Sequence, residues 1–226
     1  LESFRQHYPD LTTACFISWT QKYIRGELFD FCASTDNIIK EGTSDEILLS
    51  DYVMPWMKEN NDWGFVHIHL DDHDRTAGNK GTPVLVPNPS SPYEDKHHHL
   101  TEYLDQNIGR VVEFLKDEGW WTQTFLILCS DHGYHLGCDA RSPHFKPEDG
   151  PSRSPNYCWG HAPPYDCHVW DFRAEKPLEK RSDCCRRITM IAAGGALDQR
   201  LRGKQIETAE LIDLPATIAE MCSLPY

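Results

Sequence analysis

The sequence predicts an α/β fold with a mainly parallel sheet flanked by helices. Three features lead there: short, almost wholly apolar runs that stop at polar clusters, a long amphipathic stretch between two of them, and a closing helical segment. The first run, Thr12 to Trp19 (TTACFISW), is β-prone and follows the punctuation Pro9-Asp10. Ser44 to Glu59 carries apolar residues at helical spacing, so strand then helix is the simplest reading. Gly64 to Leu70 (GFVHIHL) runs into a cluster of acids, as a buried parallel strand ending in a functional loop would. Gly78 to Pro92 is rich in Gly, Pro, Asn and Ser and reads as a loop.

From Tyr93 to Asp117 the apolar positions Leu100, Leu104, Ile108, Val111, Val112 and Leu115 recur at three and four, and Gly119 ends the helix they define. A helix between two strands predicts a βαβ crossover. The second strand of that unit is Thr124 to Cys129 (TFLILC), which leads directly into Ser130-Asp131-His132-Gly133. Gly137 to Lys180 is long, Pro-rich and aromatic; Trp159, Tyr165, Trp170 and Phe172 favour an ordered substrate-side insertion over a disordered tract. Ile188 to Ala193 predicts a third buried strand with Gly194 and Gly195 as its turn, and Thr208 to Cys222 a last helix with Pro215 near its start.

At 226 residues the chain fits one domain or part of one. The formal charge of -13 repels a phosphate backbone and argues against a nucleic-acid binder, while an acidic excess suits a site that collects divalent cations. No apolar run approaches a membrane span. The chain opens at Leu1 and reads like one entered midway. Cys138, Cys158, Cys167, Cys184 and Cys185 crowd one loop-rich stretch among nine cysteines, which points to disulfides and the secretory pathway.

Chemistry concentrates where the strands end. Asp131 and His132 on a tight turn pair a carboxylate with an imidazole, a donor set that suits zinc and related divalent ions. The plainer role for Asp131 is to cap the segment that follows. The earlier cluster is His67, His69, Asp71, Asp72, His73 and Asp74; if strand geometry persists, His67, His69, Asp71 and His73 share one face and Asp72 and Asp74 the other. Sites in open α/β sheets form beyond the carboxyl ends of the strands, so both clusters are expected to face one crevice. His97, His98 and His99 are consecutive on a helix, point in different directions and cannot jointly chelate.

The run TFLILCSDHGYHLG resembles the segment of sulfatases and related phosphoester hydrolases in which the Asp and His, here Asp131 and His132, bind the active-site metal. YLDQNIGRVVEFLKDEGWW, ITMIAAGG and LIDLPATIAEMCSLP are similar to further parts of the alkaline phosphatase and sulfatase superfamily. Two family patterns fit the acidic turn. FVHIHLDDHD resembles the sulfatase pattern, in which a His, here His73, contacts the scissile ester. LDDHDRTAGNKG resembles the phosphodiesterase pattern, with acidic ligands drawn from Asp72 and Asp74; there one residue too many separates Asp74 from Gly78, and Asn79 stands where a ligand His would be. An amide oxygen binds hard cations such as calcium better than zinc.

The resemblance also implies a last metal ligand at His161, with His135, His144 and His168 as alternatives, and a Lys toward the ester oxygen, for which Lys146 is the candidate. Its further implications are an alkaline-phosphatase-like domain over residues 1–226, N-terminally incomplete, with the insertion at 137–180, and a metal-dependent hydrolase of small-molecule sulfate or phosphate esters using zinc or calcium. Family members place the nucleophile upstream, and no segment here matches it; Cys15 and Cys32 lack the Cys-x-Pro-x-Arg surroundings. This chain alone is therefore expected to show no turnover. A non-catalytic relative of the same fold is the other reading.

Overall fold

The computed structural model describes residues 1–18, 26–35, 44–73, 94–133, 170–171, 176–177, 187–206 and 209–224. The chain divides into two compact units, one comprising residues 1–72, 107–119 and 198–226 and the other residues 73–106 and 120–197.

The first unit is built on a three-stranded parallel sheet in the order β2-β1-β3, with β1 at Thr12–Ile17, β2 at Phe31–Ser34 and β3 at Trp63–His69. β1 is its centre: Thr13 through Ile17 are at most 1% exposed. A helical run covers it, α2 (Ser44–Ile47) passing through a π-helical turn (Leu48–Val53) into α3 (Met54–Glu59). Pro55 cannot donate to the turn before it, and a widened turn tolerates that loss without ending the helix. Leu48, Leu49, Val53, Trp56 and Met57 are buried, and the Trp56 ring sits edge-on to Phe16 and stacked on Phe31.

Helix α1 (Glu2–His7) lays Phe4 against Phe65 of β3. Next to it, a Cβ on Gly64 would lie 2.8 Å from Leu11 and 2.9 Å from Phe4, which is why a strand interior holds glycine there. The long helix α4 (Glu94–Asp117) begins one residue after its predicted start, and Gly119 follows it at φ 76°. Val111 and Leu115 are buried. The surface pairs Lys58–Glu118 and Arg110–Glu46 are half-exposed and contribute under about 1 kcal/mol each. Burying one large apolar side chain contributes roughly 2 kcal/mol, so packing outweighs the ion pairs in holding these helices. Helix α5 (Asp213–Met221) starts five residues later than the sequence predicts, with Pro215 as its third residue. Among the described residues no helix is long and apolar enough to cross a membrane.

The second unit holds β4 (Leu126–Cys129), β5 (Trp170–Asp171), β6 (Lys176–Pro177) and β7 (Met190–Ala193). β5 and β6 pair inside the predicted insertion, and β4 pairs antiparallel with β7. Two expectations change here. Among the described residues β4 pairs with the antiparallel β7 in a two-stranded ribbon, where the sequence predicts a crossover to a parallel neighbour. Nor are β4 and β7 buried throughout: Cys129 is exposed and Ile191 is 49% exposed, because a two-stranded ribbon leaves part of its surface open.

The turn after β7 is read correctly. Gly194 has φ 106°, and a Cβ there would lie 2.1 Å from the Thr124 carbonyl oxygen; on Gly195 it would lie 2.4 Å from the Thr122 Cα. Close approach lets Gly195 N–H donate to the Trp121 carbonyl at 2.9 Å and Ala196 N–H to that of Thr124 at 3.1 Å. Cys15, Cys32, Cys129 and Cys222 are free thiols, and the five crowded cysteines lie outside the described residues.

Candidate functional site

β4 delivers Asp131 and His132 immediately beyond its carboxyl end. The Asp131 carboxylate accepts from the His132 amide at 3.0 Å, which folds the turn back on itself. His132 Nδ1 lies 3.0 Å from the Gly133 carbonyl oxygen. A carbonyl only accepts, so the neutral tautomer that satisfies this contact carries its proton on Nδ1 and leaves Nε2 unprotonated, as a metal-binding imidazole requires. Nε2 in turn stands 3.6 Å from Asp131 Oδ1. Two atoms bound at about 2.1 Å to one tetrahedral ion are separated by about 3.4 Å, so the spacing fits ligation of a common cation. The Asp131 side chain is 73% exposed and open to such an ion. Burial, and then the nearby Asp131 charge, push the Cys129 thiol above its ordinary value. Among the described residues no group of three or more His, Cys, Asp or Glu side chains comes together as a cation site, so this pair needs further donors.

The other predicted turn follows β3. Asp71 and Asp72 belong to the first compact unit, Asp131 and His132 to the second, and each turn is described by itself. Asp72 is 1% exposed; its Oδ1 accepts from the Ser44 hydroxyl at 2.5 Å and its Oδ2 from the Asp45 amide at 2.8 Å. Asp45, also 1% exposed, answers in kind: Oδ1 accepts from the Asp71 amide at 2.9 Å and Oδ2 from the Asp72 amide at 3.2 Å. Burial and then the Asp72 charge push Asp45 up to about 7. Ser18, just past β1, completes the arrangement: its amide donates to the His69 carbonyl at 3.0 Å, and its hydroxyl oxygen accepts from the Asp71 amide at 2.7 Å. His73 is half-buried, one residue beyond.

Asp74, Asn79, Lys146 and His161, with the alternatives His135, His144 and His168, lie outside the described residues. Sequence reasoning missed Ser18, Ser44 and Asp45. Ser-Asp-Glu at the predicted start of a helix is a recognisable N-terminal signal, but nothing local tells that its partner is Asp72.

On β3, His67 and His69 face the same way, and burial first, then the His69 charge, hold His67 below its ordinary value. A histidine kept neutral by the fold contributes stability that is present above the unfolded value near 6.5 and is lost as pH falls toward the lower folded value. Thermal unfolding midpoints are therefore expected to drop as pH falls from 7 to 5, and His67→Gln to flatten that drop. An equal decline in both proteins would rule His67 out as its source.

A parallel sheet with a polar turn at its carboxyl edge marks the first unit as α/β, and in the second an Asp-His pair follows an apolar strand. Residues 20–161, more than half of the chain, match the family described as Sulfatase, and the chain belongs to that family. It is similar in structure to the lipoteichoic acid synthase LtaP from Listeria monocytogenes, at 14% identity and a TM-score of 0.42, over 83% of this chain and 44% of that one. A second similar structure is the murine ectonucleotide pyrophosphatase/phosphodiesterase 5 in complex with AMP, at 13% identity and a TM-score of 0.42, over 62% and 33%. The chain thus spans less than half the length of either. No curated protein matches it.

Proposed function

We propose that this chain is the metal-binding part of a hydrolase of small-molecule sulfate or phosphate esters, with Asp131 and His132 as metal ligands. The observation that supports it is the 3.6 Å separation of Asp131 Oδ1 and His132 Nε2 on a turn where His132 Nδ1 lies 3.0 Å from the Gly133 carbonyl oxygen. A divalent ion bound there would supply positive charge against the oxygens of the ester as the bond to sulfur or phosphorus breaks. Asp131 and His132 hold that charge in place, Asp72, Asp74, Asn79 and His161 being the other proposed ligands. His73 would hydrogen-bond the scissile ester, and Lys146 would supply positive charge toward one of its oxygens. An imidazole donor suits zinc, and carboxylate with amide oxygens suit calcium.

Elemental analysis of the full-length protein, followed by nitrophenyl sulfate and nitrophenyl phosphate assays before and after dialysis against a chelator, tests the proposal. Bound zinc or calcium and an ester activity that chelation abolishes and metal restores are expected. Metal without hydrolysis of either ester would favour a non-catalytic, metal-binding relative. Hydrolysis that survives complete removal of metal would overturn the mechanism.

A further inference from the structure

We infer that Asp45 is a positioning residue for the acidic turn that follows β3, acting through a reciprocal clamp with Asp72. The inference rests on the reading of that turn as part of an ester-hydrolase site. Its basis is the direction of the bonds. Asp72 sends its carboxylate back to the first residues of α2, accepting from Ser44 Oγ and the Asp45 amide, and Asp45 sends its own carboxylate forward to the amides of Asp71 and Asp72. Each acid satisfies donors of the other's segment, and Ser18 fastens the same turn to the end of β1.

Two carboxylates at 1% exposure repel each other and lose hydration, so their joint burial is costly unless the bonds they accept are all kept. Capping α2 alone would need one acid, which sequences ordinarily supply from the residue at the helix start. Two acids facing each other fix something further: the path of the chain from His69 through Asp72. His73 is bonded directly to Asp72, so the backbone from which the proposed ester contact projects is set by Asp45. A first contact to a reacting group is only as well placed as the shell behind it.

The test is made in the full-length protein with Asp45→Ala, Asp45→Asn and, as a control, Glu113→Gln on the exposed face of α4. Hydrogen exchange at the Asp71 and Asp72 amides is read against the Ala14 to Phe16 amides, and kcat, KM and bound metal are read for the better of the two nitrophenyl esters. In Asp45→Ala the two turn amides should exchange at least tenfold faster while the β1 amides keep their protection. kcat should fall more than tenfold, with KM within about twofold. Asp45→Asn retains one acceptor oxygen and should recover part of both losses.

Unchanged exchange at Asp71 and Asp72, or a kcat equal to that of the control in an active enzyme, overturns the inference. Collapse of β1 protection in both Asp45 variants would do so as well, since Asp45 would then be needed for the fold as a whole. Should the unmodified protein neither bind metal nor hydrolyse either ester, the functional reading fails first, and the exchange data alone decide the clamp.

Discussion

Asp131→Ala and His132→Ala are each expected to lower ester hydrolysis by the full-length protein about a thousandfold or more, together with loss of bound metal. The size follows from what is removed. A cation that neutralises charge on the reacting ester stabilises the transition state by several kcal/mol, and a thousandfold corresponds to about 4 kcal/mol. Asp131 and His132 offer two donor atoms 3.6 Å apart on adjacent residues, so deleting either leaves a single donor on this turn. Neither change should unfold the protein: the Asp131 side chain is 73% exposed, and the bond it loses closes only the local turn. Metal content and kcat/KM, measured beside a thermal midpoint within a few degrees of the unmodified protein, check all three parts. Full occupancy in either variant would remove this pair from the ligand set.

The second large effect is on stability. Gly194→Ala is expected to destabilise the β4–β7 ribbon by roughly 3 to 5 kcal/mol. Part is backbone strain, since a positive φ costs a residue with a Cβ about 1 to 2 kcal/mol. The larger part is steric: the new carbon would meet the Thr124 carbonyl oxygen at 2.1 Å, and that oxygen is held by the Ala196 amide at 3.1 Å. Gly119→Ala separates the two contributions. Gly119 also has a positive φ, at 76°, but a Cβ there meets nothing within 4 Å, so only the strain of about 1 kcal/mol is expected. Urea unfolding followed by exchange at the β4 amides measures both. Equal losses in the two variants would show that the approach to Thr124 relaxes at little cost.

These sites differ in how far the sequence exposes them. The Asp-His turn is legible because its geometry is local: an apolar run ends, and two ligand types follow on adjacent residues. β1, β3 and α4 are legible for the same reason, each carrying its own period. β2 is not, since its four residues acquire strand character from pairing with β1 while Phe31 stays 38% exposed. α1 is too short, at six residues, to show a repeat. The partner of β4 is a non-local choice, and an apolar run announces only that some partner exists. The Asp45–Asp72 clamp is hidden most completely. Its residues lie 27 apart; Asp45 by itself reads as an ordinary solvated carboxylate, and Asp72 reads as a metal ligand.

The first unit takes chain from both ends of the sequence, and the Tyr8 hydroxyl donates to the Cys222 carbonyl at 2.7 Å. Synthesis on the ribosome meets this arrangement in an awkward order. Helix α1 leaves the exit tunnel long before Cys222 exists, so its segment stays short of that contact while more than two hundred residues emerge. A unit closed this way is complete only once α5 has been made, and its earlier strands depend on the sheet itself, or on a chaperone, to stay unaggregated until then.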